Sequence, residues 1–326
     1  MGARFFGPKI YDMKHIIKFC NGLYGGLERV AGTLNADRVA GKNHQAGFDS
    51  LLTLQTFMSE LSLIRAVIPT RCFASFDTEF PGTIITPDVD NRSYSKVSPP
   101  TNCSFMKANV GELKIIQLGL TFSDSNRNLT NFGTPNGYIW QFNFSDFDAE
   151  HDCHNVESIQ LLEKQGIDFV KNKKEGIPSW LFLNFVLNSG LLFNPHLTWV
   201  TFHSFYDFGF MIKLLIGRQL PPNVHLFRQM VARFFGPKIY DMKHIIKFCN
   251  GLYQKNCNGL YGGLERVART LSVDRVAGKN HQAGSDSFLT LQTIMKLKDL
   301  YFNGNLGLQK FQGIFYGLEV NPMIQI

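Results

Sequence analysis

The stretch FASFDTEF, Phe73–Phe80, alternates in polarity and is bounded by Pro81-Gly82, which predicts a β-strand. Asp77 and Glu79 stand two apart, so a pleated strand turns both carboxylates to one face. The rest of the stretch is largely apolar, with Phe73, Phe76 and Phe80. Two like charges within it repel each other and lose hydration, and a bound divalent cation offsets both effects. Taken by itself, however, a DxE pair reads as an edge strand whose polar face meets water.

Outward from this strand, KIIQLGLTF (114–122), GYIWQFNF (137–144) and the short TWVTF (198–202) carry further strand signals. TPDVDNRSYSKVSPPTNCS (86–104) is rich in Pro, Ser and Asn and reads as a loop. SIQLLEKQG (158–166) and SWLFLNFVLNSGLL (179–192) have helical apolar spacing, and DFGFMIKLLIG (207–217) is a helix opened by Asp and closed by Gly. YDMKHIIKFC (240–249), YGGLERVARTL (261–271) and SDSFLTLQTIMKL (285–297) are helical as well. KNKK at 171–174 reads as a solvated helix end. Three strands, helices, a further strand and more helices make an α/β domain with a mixed sheet.

Two more acids stand at informative places. Asp207 follows the TWVTF strand across a short turn, and Asp286 opens a late helix; at each, helix capping is the commonest role. His281 precedes Asp286 by five residues, a spacing that on a helix turns the two side chains well apart. This places His281 in the turn before the helix, where loop geometry brings it near Asp286. Together the pattern is DxE on the first strand, Asp after a later strand, and HxxxxD at a late helix.

In this pattern the chain resembles the CCR-four-associated factor (Caf/Pop) family of poly(A)-specific ribonucleases, plant-type, within the DEDDh ribonuclease H-like exonucleases. The strings that carry the resemblance are FDTEFPG (76–82), KIIQLGLTFSD (114–124), WQFNF (140–144), SIQLLEKQGIDF (158–169), WVTFHSFYDFGF (199–210), YDMKHIIKFC (240–249), HQAGSD (281–286) and FYGLEV (315–320), in family order. The resemblance implies a ribonuclease H-like mixed sheet flanked by helices. It also implies two divalent metal ions, Mg²⁺ or Mn²⁺, held by Asp77, Glu79, Asp207 and Asp286, with His281 as the catalytic base. The expected activity is 3′→5′ removal of 5′-AMP from the poly(A) tail of RNA. The expected partners are the NOT scaffold and a second deadenylase of the CCR-NOT complex, in cytoplasm and nucleus. Phe80 and Phe202 are candidates for stacking on adenines, although each is more often core packing.

The chain departs from the family in three ways. Phe205 stands in HSFYDFG where a small residue is usual, and a bulky ring there is expected to tilt Asp207 or crowd the scissile phosphate. Residues 254–261 are an insertion between two helices. Most conspicuous is a repeat: Arg4–Tyr24 equals Arg233–Tyr253 letter for letter, and after the insertion the copies realign to Met58 and Met295 with six differing pairs, among them Phe48/Ser285. Two copies at opposite ends are not a solenoid, which needs about three adjacent units. The expected division is a duplicated helical segment over 1–58, loosely held, and an exonuclease domain over 59–326. His44 and Asp49 copy His281 and Asp286, but the C-terminal copy keeps the family's order and its HQAGSD. An alternative class is a catalytically impaired adaptor of the deadenylase complex, on account of Phe205 and the duplication.

Composition narrows the rest. The 326 residues bury a sizeable core, and a net charge of +7 favours an anionic partner, nucleic acid first. No run of about 18 apolar residues marks a membrane span. The first residues carry charges and a proline where a secretion signal needs an apolar stretch. The six cysteines (Cys20, Cys72, Cys103, Cys153, Cys249, Cys257) have no CxxC pair, which argues against a zinc site or disulfide scaffold and for reduced cytosolic or nuclear thiols.

Overall fold

The computed structural model describes residues 61–87, 97–132, 137–249, 260–302 and 308–319. The first repeat copy, and most of the 254–261 insertion, lie outside the described residues. The elements are a helix α1 (61–67), β1 (Phe73–Glu79), α2 (Pro99–Glu112), β2 (Gln117–Ser123), β3 (Trp140–Asn143), α3 (Val156–Lys164), α4 (Phe169–Glu175), α5 (Ser179–Asn188), β4 (Thr198–Thr201), α6 (Phe205–Ile216), α7 (Val224–Phe235), β5 (Ile239–Asp241), α8 (Met242–Cys249), α9 (Leu264–Thr270) and α10 (Ala283–Tyr301).

The strands form one sheet in the order β3-β2-β1-β4-β5. β1 pairs antiparallel with β2 and parallel with β4, β2 pairs antiparallel with β3, and β4 pairs parallel with β5. β1 is therefore the central strand, and the reading of DxE as the wet face of an edge strand is corrected. Its two acids stand beside Gly119 and Gln117 of β2.

Period-two alternation sends successive residues to opposite faces. On one face Phe76 meets Trp199 and Phe208 edge-on at centroid distances of 5.5 and 4.8 Å, with Phe235 stacked at 6.0 Å. On the other, Val200 joins Met242, Ile245, Leu291 and Ile294 in a second core beneath α8 and α10. Each buried ring or branched side chain contributes about 1.5–3 kcal/mol relative to exposure.

Three elements differ from the sequence reading, and α7 is a helix that it did not name. The stretch read as a loop over 86–104 turns helical at Pro99, because Ser98 accepts from the Thr101 N–H and the prolines occupy the first helical positions, where no donor is lost. β5 is too short to carry a periodic signal and exists through pairing with β4. The helix carrying Asp207 begins two residues earlier, at Phe205, so Asp207 lies in its first turn and does not cap it. That helix closes at Gly217, which takes the left-handed conformation at φ 62°. KNKK falls in the last turns of α4, where Lys171 pairs with Glu175 at 3.5 Å.

Candidate active site

The site forms where β1 ends and the first turns of α6 and α10 arrive. The approach of α10 depends on the sheet beneath it. A Cβ on Gly119 would lie 1.9 Å from the Ala283 carbonyl oxygen, so only glycine lets this helix end sit there. The Gly284 N–H donates to Gln141 Oε1 at 3.0 Å, and Thr121 and Ser287 hydroxyls share a hydrogen bond of 2.8 Å. The first contact satisfies a buried helix-end donor, and together they set Asp286 over β1.

Asp207 arrives from the other side. Its Oδ1 accepts from the Thr78 N–H at 3.0 Å and from the Thr78 hydroxyl. Thr78 lies between the two acids of DxE, so β1 supplies carboxylates to one side and the anchor of a third carboxylate to the other. His281 takes φ 57° in the turn before α10, and its N–H donates to Asp286 Oδ2 at 2.9 Å. The placement of His281 in that turn follows the sequence reading. Glu79, His281 and Asp286 each present a ligand atom within 4.8 Å of the others.

All five expected polar residues thus converge. Glu79, Asp207 and Asp286 are buried, and Asp77 is part-exposed. Burial, followed by the charges of Asp207, Asp286 and Glu79, pushes Asp77 well above the usual carboxylate range. Burial, then Asp286 and Asp207, does the same to Glu79. Asp207 is raised to about 7 by burial, against the opposing pull of the Thr78 hydrogen bonds. Asp286 is raised by burial and held back by Arg275. Arg275 eases the charges of Asp77, Glu79 and Asp286, while Asp207 meets the further carboxylate of Asp241, so negative charge exceeds positive among the described residues of the site. Asp286 Oδ1 is buried and lacks an aligned hydrogen bond, although Arg275 Nη2 stands 2.6 Å away as an ion pair. Hard oxygen donors, excess negative charge and a carboxylate oxygen with free lone pairs fit Mg²⁺ or Mn²⁺.

The aromatic candidates are engaged with protein. Phe80 stacks on Tyr206 at 5.3 Å and lies 5.0 Å from Phe210. Phe202 packs against the second core, with the Lys243 ammonium 5.4 Å from its ring centre. Phe205 is buried; its ring lies 4.7 Å from Tyr206 and 5.5 Å from His203, while Asp207 keeps its Thr78 bonds.

Sequence reasoning missed Thr78, Arg275 and Asp241. Asp241 is fully buried and accepts from the backbone N–H groups of His203 (2.8 Å), Lys243 (3.0 Å), Ser204 (3.3 Å) and Tyr316 (3.0 Å). It therefore pins the turn that delivers α6 and Asp207. The only sequence signal was a carboxylate at the start of a repeated helix, and no spacing rule links it to that turn.

Residues 53–180 and 191–293 match the family described as CAF1 family ribonuclease. The chain belongs to this family. The CAF1 match includes β1, the turn to α6 and the first turns of α10, and so all five converging residues. Among relatives, the chain is 46% identical over 263 residues to the probable CCR4-associated factor 1 homolog 7 of Arabidopsis thaliana, covering 80% of this chain and 90% of the relative. It is 36% identical over 259 residues to the poly(A) ribonuclease pop2 of Schizosaccharomyces pombe, covering 79% and 71%. Among solved structures, S. pombe Pop2p in its Mg²⁺- and Mn²⁺-bound form superposes with a TM-score of 0.69 at 34% identity, over 80% of this chain and 96% of that one. A structure of the yeast NOT1 MIF4G domain with CAF1 gives 0.64 at 30% identity, over 79% and 92%.

Proposed function

We propose that this CAF1 ribonuclease is a divalent-metal-dependent 3′→5′ exoribonuclease that shortens poly(A) tails, releasing 5′-AMP. The observation that carries the reading is the convergence of Asp77, Glu79, Asp207 and Asp286 from three elements, with Arg275 set against three of them. Names of the relatives and the metal-bound Pop2p structure support it.

Asp77, Glu79, Asp207 and Asp286 would hold two ions. When bound, the ions supply a more acidic attacking water and neutralise charge at the phosphate and the leaving 3′-oxygen. His281 is the proposed base: its backbone N–H is tied to Asp286, and a ring nitrogen lies within 4.8 Å of ligand oxygens of Glu79 and Asp286, where it would take the proton of the attacking water. Thr78 keeps Asp207 in place through two donors. Phe80 and Phe202, both part-buried, are proposed to stack on adenines.

The NOT scaffold and a second deadenylase are the proposed partners. The yeast structure of NOT1 with CAF1 supports the first, and the names of the CCR4-associated factor relatives support membership of that complex. Action in cytoplasm and nucleus is part of the same proposal. The test is 5′-labelled oligo(A) with Mg²⁺ or Mn²⁺. A ladder of single-nucleotide steps, abolished by EDTA and by Asp77→Asn, is expected. An intact substrate at every metal concentration, with NOT1 binding retained, would establish the adaptor instead.

A further inference from the structure

Arg275 lies in the connection between α9 and α10, outside the strings that carry the family resemblance. Its side chain is 10% exposed, and each face of the guanidinium fork is used. Nη2 sits 2.6 Å from Asp286 Oδ1 and 2.7 Å from Glu265 Oε2. Nε donates to the same Glu265 oxygen at 3.1 Å. Nη1 donates to the Lys279 carbonyl at 3.3 Å and to the Ser285 hydroxyl, which in turn donates to the Ala277 carbonyl. One side chain therefore joins α9, the turn carrying His281, and the first turn of α10. Its positive charge also lowers the cost of ionising Asp77 and Glu79.

We infer that Arg275 is a positioning residue for the metal-binding carboxylates: it fixes the rotamer of Asp286 and the turn of His281 so that both face Glu79. The inference rests on the divalent-metal reading proposed above. A planar fork with five donors meets Glu265, Asp286, Ser285 and Lys279 together, and an ammonium does not. The two possible roles of the residue have opposite signs. As a mere counter-ion, Arg275 competes with a divalent cation, and its removal strengthens cation binding by Coulomb attraction. As a positioning residue, its loss weakens cation binding, on the order of 10–100-fold for partners of this kind.

Mn²⁺ binding by the full chain, followed through the electron paramagnetic resonance signal of free Mn²⁺, separates them. Arg275→Met is expected to bind Mn²⁺ at least about tenfold more weakly, with Arg275→Lys between it and the parent. Glu265→Gln removes the outer brace of the fork from a half-exposed position, and is expected to shift affinity in the same direction by less. Unchanged or tighter binding by Arg275→Met overturns the inference, as does full restoration by Arg275→Lys. If Arg275→Met does not fold, unchanged affinity in Glu265→Gln overturns it. A parent chain that binds no Mn²⁺ sinks the metal reading itself, and the inference with it.

Discussion

Asp207 shows how a buried carboxylate stores instability. Burial raises it to about 7 from an unfolded value of 3.8. The folded chain therefore prefers the protonated form: this contribution to stability is full below pH 3.8, falls as the pH climbs, and is lost above about 7. Asp207→Asn keeps an oxygen for both Thr78 donors and removes the charge. In EDTA the variant is expected to melt several degrees above the parent at pH 7.5, with the difference shrinking toward pH 4. Equal melting at pH 7.5 in a calorimetric pair would contradict the burial argument. Of this site, DxE, His281, Asp207 and Asp286 were legible as letters at telling places. Thr78 was not, because its neighbours' alternation hides what the opposite face of β1 does, and neither was Arg275, whose partners lie on two helices.

At the scale of elements, the site exists because the N-terminal end of α10 abuts β2. Gly119 is where they touch, and the register places it beside Asp77. Gly119→Ala would put a methyl group inside the Ala283 carbonyl, so the helix must lift. The expected cost is roughly 1–3 kcal/mol of stability, read by urea denaturation, together with weaker Mn²⁺ binding. A variant with parental stability and affinity would show that the contact is slack. β1 was readable from alternation and β2, β3 and β4 as short strand-like runs, while β5 was not read. The misread 86–104 stretch has a different cause: its prolines marked a boundary, and only the capping by Ser98 shows that the boundary opens a helix.

Across the whole molecule, the question is which repeat copy completes the sheet. The second copy supplies β5 with Asp241, α8, α9 and α10. Its Ser285 is 4% exposed and lies on Arg275, and the Gly278 backbone crowds it so closely that a Cβ there would come within 2.7 Å of the serine Cβ. The first copy spells Phe48 at the matching position. A phenyl ring has no room in that slot and no acceptor for the guanidinium. Asp286→Asn is therefore expected to abolish metal-dependent degradation of oligo(A), and Asp49→Asn to leave it unchanged; the reverse result would assign the site to the first copy.

By itself, the sequence determined the fold class, the strand that carries DxE, the family and the asymmetry of the two copies, because these depend on local alternation and on the order of short strings. The tertiary structure decided that β1 is central, that Asp207 is anchored on Thr78 between the DxE acids, and that Ser285 is buried against Arg275. The first two depend on distances between residues far apart in the chain, such as the 129 positions between Thr78 and Asp207, which packing alone sets.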